Sequence, residues 1–184
     1  MKKPLIIILV IVAVLAIYAG VTYNHLVSSG ESVTTQWAQV ETQYQRRFDL
    51  IPNLVNAVKG AMKQEKAVFD AIAEARTRYA GATTPDAKAQ AAGDVETSFA
   101  RLLVVMENYP QLKSIDTVQT LMAQIEGTEN RVSVERTRYN DSVKAYNLIT
   151  KRFPSSVIAS MFGFDSKAYF QSAEEAASAP KVEF

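Results

Sequence analysis

The sequence predicts an all-α fold: an N-terminal single transmembrane helix, then an elongated antiparallel bundle of three long helices plus a short C-terminal helix. Three observations predict it. An uncharged run of nineteen residues, Leu5 to Tyr23, follows Lys2 and Lys3, close to the ~20 apolar residues that cross a bilayer as one helix. Three later segments carry apolar residues at alternating steps of three and four, the seam of a helix packed along its length. No segment shows the two-residue alternation of a half-buried strand, and Gly (7) and Pro (6) are few.

The apolar run comes first. A removable signal peptide is the competing reading, but its apolar region is usually about 7–15 residues and ends at a small-x-small site. Here the run is longer, and Val27-Ser28-Ser29 is a poor cleavage site. The expectation is therefore an uncleaved anchor. Lys2 and Lys3 precede it, and Arg46 is the first Lys or Arg after it. The positive-inside rule then places the N-terminus in the cytoplasm and the rest of the chain outside. Tyr18 and Tyr23 suit the outer interface, where amphipathic rings settle. The expected organisation is a short cytoplasmic N-terminus at 1–4, the transmembrane helix at 5–23, an extracytoplasmic helical domain at 24–171 and a flexible tail at 172–184.

Roughly 160 residues follow the anchor, enough for one domain with a real core. The formal net charge is +1, from 20 basic and 19 acidic side chains, so no strong field draws in nucleic acid. Cysteine is absent. That excludes disulfides, thiolate nucleophiles and cysteine-bound metal. His25, the single histidine, reads as a polar interface residue, since no partner motif surrounds it.

The first stripe runs through Val33, Trp37, Val40, Tyr44, Phe48, Ile51, Val55, Val58, Met62, Phe69, Ile72 and Tyr79. Ser28 with Glu31 three residues on reads as a capping box that starts it. Unbroken, it would reach about 70 Å. Pro52 inside it removes a backbone donor and predicts a kink near Phe48 to Pro52. Residues 80–86 form a connector, and Thr84 as N-cap with Pro85 at N1 restarts a helix. The second stripe is Val95, Phe99, Leu102, Leu103 and Met106, ended by Pro110. Its alanine-rich start, 87–93, is expected to be exposed or frayed. The third stripe is Ile115, Val118, Met122, Ile125, Val132, Tyr139, Val143, Tyr146 and Ile149, stopping at Phe153-Pro154. Val157 to Phe164 is expected to cap the open end of the bundle, with a membrane or partner contact as the alternative. Gly127, alone in a helical stripe, reads as a close-packing point between helices.

Polar residues within the stripes are the candidate site. Glu41, Arg46, Arg47, Asp49 and Asn53 cluster around Pro52. Glu126, Glu129, Asn130 and Arg131 cluster on the third segment, and Glu129 falls on its seam. A charge on a seam is costly unless paired, so Glu129 is expected to be buried or half-buried against Arg46 or Arg47. Three readings of this layer stand: a register-setting polar layer, a ligand or partner groove at the kink, and a carboxylate metal site. The last lacks the histidines that di-metal bundles use. No Gly-x-Ser-x-Gly elbow and no glycine-rich phosphate loop occurs.

The chain resembles the LemA family of bacterial membrane proteins. The resemblance rests on Tyr23-Asn24-His25-Leu26-Val27, on Gln45-Arg46-Arg47 with Asp49-Leu50-Ile51-Pro52-Asn53-Leu54-Val55, and on Glu107-Asn108-Tyr109-Pro110. Its most specific block is Gln124-Ile125-Glu126-Gly127-Thr128-Glu129-Asn130-Arg131, followed by Arg138-Tyr139-Asn140, Tyr146-Asn147 and Phe153-Pro154. It implies one anchor and an all-helical domain, in a family with no established enzymatic activity or cofactor. Together these readings predict a non-enzymatic, membrane-anchored scaffold or adaptor of the cell envelope. It would be held by the lipid bilayer, would self-associate through Ala16, Ala19 and Gly20, and would contact other membrane or envelope proteins. The alternative is a binding module for an envelope peptide or polysaccharide, with a groove near Pro52 lined by Trp37, Tyr44, Tyr109, Tyr139 and Tyr146. A hydrolase is the third and weakest reading.

Overall fold

A computed structural model describes residues 2–170; the expected tail at 172–184 lies outside the described residues. The fold is all-α, with no strand among the described residues. The elements are α1 (Lys2–Lys59), α2 (Lys66–Gly81), α3 (Pro85–Met106), a 3-10 turn (Pro110–Ser114), α4 (Asp116–Lys151) and α5 (Ser155–Met161). The residues group into two compact units, one of 2–38 with 137–169 and one of 39–136 with Phe170.

Helix α1 holds the apolar run and continues without a break to Lys59. The expected helix start at Ser28 is thus corrected. Leu26, Val33 and Trp37 are buried on either side of Gly30, and Gly30 occupies the intervening stripe position. There a Cβ would already lie 3.5 Å from the Tyr146 ring. Burial on this continuous stripe outweighs the cost of about 1 kcal/mol for one glycine in a helix. Pro52 lies inside α1, and the first stripe, expected as one helical segment to Tyr79, breaks at 60–65. Gly60 opens that break, and the Ala61 and Met62 amides both donate to the Val58 carbonyl, at 3.0 and 3.1 Å. The predicted single segment is therefore two helices, α1 and α2.

In the unit of residues 39–136, four helical stretches enclose one core. From α1 it takes Val40, Tyr44, Phe48, Ile51, Leu54 and Val58; Leu54, rather than the expected Val55, carries the stripe. Helix α2 adds Ile72, Ala75 and Tyr79. It packs along α3, which adds Ala92, Val95, Phe99, Leu102 and Met106. The Thr84 hydroxyl accepts from the Ala87 amide at 3.2 Å, with Pro85 in the first turn, as the sequence indicates. Ala91 and Ala92 are buried. The alanine-rich start of α3 is therefore helical and partly buried, through Ala91 and Ala92, and is not a frayed end. Helix α4 contributes Val118, Ile125 and Val132. Ile115, expected on its seam, is exposed. At Gly127 a Cβ would meet open space, which corrects the close-packing reading.

The other unit pairs the first part of α1 with the second half of α4. Its core holds Leu26, Val33, Trp37, Tyr139, Val143, Tyr146 and Ala159. The Trp37 and Tyr139 rings meet edge-on, centroids 5.3 Å apart. After α5 the backbone turns at Gly163, whose φ of 73° suits glycine. The chain then returns along α4, where the buried Asn147 side chain donates to the Lys167 carbonyl and accepts from the Lys167 amide, each at 2.8 Å. A side-chain amide here replaces a backbone partner, which satisfies both buried groups at once.

Candidate functional site

The polar layer lies inside the unit of residues 39–136, and three helices build it. Arg47 on α1 is 5% exposed. Its Nη1 donates to Glu96 Oε1 on α3 at 3.1 Å, and its Nη2 reaches Glu129 Oε2 on α4 at 3.4 Å. Arg136 on α4 donates through Nη2 to the same Glu96 oxygen at 2.9 Å, and through Nε to the Tyr44 hydroxyl at 2.9 Å. One carboxylate thus bridges two guanidinium groups, and a tyrosine hydroxyl closes the chain. Charge-assisted bonds of this kind are the stronger class.

Aromatic rings floor the layer. The Arg136 guanidinium lies 5.2 Å from the Tyr44 ring centroid and 4.7 Å from that of Phe170, a stacking that guanidinium groups favour. Tyr79 meets Phe48 edge-on at 4.7 Å and Tyr44 at 5.9 Å. Glu41 on α1 forms an ion pair with Lys88 near the start of α3, and the Lys88 ammonium sits 6.0 Å from the Tyr79 ring centroid. Burial pushes the Tyr44 hydroxyl up to about 12, with the Arg136 charge opposing the shift. Burial raises Tyr79 as well, with the Glu41 carboxylate adding to it. Both phenols stay protonated at neutral pH, and the Tyr44 hydroxyl serves as a hydrogen-bonding group.

The fold brings together only part of the sequence-derived set. Arg47, Glu41 and Glu129 enter the network. Glu129 does so from an exposed position, its side chain 63% accessible; the buried seam residue is its neighbour Thr128, whose hydroxyl donates to the Ile125 carbonyl at 2.6 Å. The expected buried carboxylate at Glu129 is therefore corrected to Glu96, 30% accessible. Arg46, Asp49, Asn53, Glu126, Asn130 and Arg131 are exposed, and Asp49 accepts from Gln45 Nε2 at 2.9 Å. Sequence reasoning passed over Glu96 and Lys88. The signal for Glu96 was its spacing, four residues after Ala92 and three before Phe99 on the α3 stripe. Among the described residues, no three His, Asp or Glu side chains converge as a metal site would require. Within the layer, Arg47 Nε and Gln43 Oε1 are buried without a hydrogen-bond partner.

The residues expected to anchor the chain lie in the other unit. Lys2 opens α1, and Lys3, Tyr18 and Tyr23 are exposed along it. A cavity of about 330 Å³ lies between Tyr18, Val21 and His25 of α1 and Leu148, Arg152 and Ser155 near the end of α4.

Described residues that form helices and no strand, with one helix among them long and apolar enough to cross a membrane and a polar layer linking three helices, define a class of membrane-associated helical proteins. The chain belongs to the LemA family, whose family model matches residues 36–184. It is similar to magnetosome proteins MamQ 1 and MamQ 2 of Paramagnetospirillum magneticum, each 26% identical over 89% of this chain and 71% of the relative. It is likewise similar to magnetosome protein MamQ of Magnetospirillum gryphiswaldense, 25% identical over 86% of this chain and 70% of the relative.

Proposed function

We propose that this protein is a non-enzymatic scaffold or adaptor, anchored in the bacterial inner membrane by α1 with its N-terminus in the cytoplasm and its helical units outside. The observation that carries the reading is the polar layer. Arg47, Glu96, Arg136 and Tyr44 bind one another across three helices, so their polar groups hold the helices in register instead of facing a substrate. Polar layers of this kind fix helix alignment in bundles. On the membrane side, a Cβ at Gly20 would meet open space, and Ala16 is exposed one turn before it. Small residues at that spacing let two membrane helices approach closely. The expected assembly is a cluster of copies.

The test is the size of native particles. The full-length protein, labelled at one added cysteine, is extracted with its surrounding lipid, and photobleaching steps are counted per particle. Several steps per particle at native abundance are expected. Single steps, with no other protein in the particle, would contradict the reading.

A further inference from the structure

We propose that the corner joining α4 to α5 is a second membrane contact. In it Phe153, Val157, Met161 and Phe162 sit in the headgroup and upper acyl region of the same bilayer that α1 crosses. The inference rests on the reading of α1 as a membrane span, and all the residues that carry it lie within one compact unit.

The level of the corner along α1 is the first observation. From Leu5 to Ile17 the large apolar side chains of α1 are 54–68% exposed. Protein cover begins at Ala19 and Thr22, and Thr22 is only 7% exposed. What covers this turn is the end of α4 and the start of α5: Leu148, Ile149, Arg152 and Ser155 line one cavity with Tyr18, Val21 and Thr22. Tyr23, the last residue of the apolar run, meets Phe162 and Phe164 edge-on, with centroids 5.0 and 5.6 Å apart. Tyr18 to Tyr23 spans about 7.5 Å of helix axis. The headgroup zone on each side of the hydrocarbon is about 5–8 Å thick. The corner therefore lies at the depth of that zone and not well above it.

The second observation is what the corner exposes. Phe153 is 84% exposed, Met161 72%, Phe162 54% and Val157 50%. Phe153, Val157 and Met161 follow at four-residue intervals, while Ala159 faces the core at 1% exposed. Four large apolar side chains left bare within ten residues are costly in water. At the end of a membrane-spanning helix, the surface that meets them is lipid. Lys151 and Arg152 adjoin them, placed as cations commonly are at an interface, with stems against apolar surface and charges toward phosphates. A contact of this kind would fix the tilt and rotation of this unit on the membrane, which one anchoring helix alone leaves free.

The chain has no cysteine, so single cysteines can carry an environment-sensitive fluorophore. Phe153→Cys and Met161→Cys sit at well-exposed positions and leave the core intact. Leu9→Cys reports on the span, and Thr35→Cys on an exposed site of the same unit, twelve residues beyond Tyr23 on α1. Each full-length variant is reconstituted in vesicles of phosphatidylcholine and phosphatidylglycerol, with nitroxide-bearing lipids labelled shallow or deep in the chain. Labels at 153 and 161 are expected to shift to the blue and lose most of their emission to shallow nitroxides, while the label at 35 keeps its emission. Quenching at 9 but not at 153 or 161 would overturn the second contact and leave the span standing. A blue-shifted but unquenched label at 153 would place the face against protein, a second copy included, and would also overturn it. Absence of deep quenching at 9 would remove the span and this inference together.

Discussion

Glu96 accepts hydrogen bonds from both Arg47 and Arg136, at 3.1 and 2.9 Å, through a single carboxylate oxygen. Arg47 is nearly enclosed, whereas Glu96 keeps about a third of its side chain in solvent. Removing the carboxylate therefore leaves a buried guanidinium with its best acceptor gone. Breaking a fully buried pair costs about 3–5 kcal/mol. With partial exposure of Glu96 weakening the pair, Glu96→Ala is expected to cost about 1–3 kcal/mol. Glu129→Ala, at a 63% accessible side chain, is expected to cost less than about 1 kcal/mol. Urea unfolding followed by circular dichroism ranks the two, and the reverse order would disprove the assignment of Glu96 as the bridge.

Arg47 itself carries an unpartnered Nε in the core. Arg47→Met keeps much of the volume and removes that orphan, while Glu96 retains Arg136. Removing one partner of an ion pair is costly where the other is left buried and unpaired, whereas Glu96 is 30% accessible and keeps its bond to Arg136. The expected change in stability is within about 1 kcal/mol of the natural chain. A large loss would mean that the charge itself holds the helices together.

Tyr44 predicts an alkaline limit. Its folded value is raised to about 12 from 10.0, so the unfolded chain releases this proton first as pH rises. The stability it contributes is complete below pH 10 and is lost as pH climbs from about 10 to about 12. The loss is about 2–3 kcal/mol. Tyr44→Phe should make that part of the profile less steep, with Tyr79, also raised by burial, keeping the remainder, measured as midpoint urea concentration against pH. An unchanged slope in the variant would assign the effect to other groups.

Gly127 sits in the interior of α4 with open space where its Cβ would be. Gly127→Ala is expected to stabilise the helix by about 0.5–1 kcal/mol, read as a raised melting temperature. If the variant is more stable but forms smaller native particles, the bare backbone at Gly127 is a contact between copies.

Asn147 closes the strap after α5 through two reciprocal bonds to Lys167. Asn147→Ala leaves a buried amide and carbonyl to find water, at a cost of about 1–3 kcal/mol. Faster hydrogen exchange at the Lys167 amide is the expected signature. Unchanged exchange there would show that the strap is held elsewhere.

The all-helical fold was legible because its signals are periodic and local. The stripe from Val33 through Val58, the Thr84-Pro85 start and the stop at Phe153-Pro154 all act within one or two turns. The break at 60–65 was not legible, since Met62 continues the apolar spacing across it and Gly60 alone is a weak stop signal. Ser28 failed as a cap for the same reason: Leu26, Val33 and Trp37 bury one continuous face across it. For the polar layer, spacing found Arg47 but set Glu129 one position off the seam that Thr128 occupies. Glu96 was passed over because Val95 and Phe99 already filled the apolar stripe around it, and its partners lie 49 and 40 residues away in sequence.

The most direct test of the scaffold reading is crosslinking in native membranes, followed by affinity capture of the full-length protein and mass spectrometry. Crosslinked copies of this chain, alone or with one abundant membrane or envelope protein, are the expected result. Recovery of uncrosslinked monomer only, at native abundance, would contradict it.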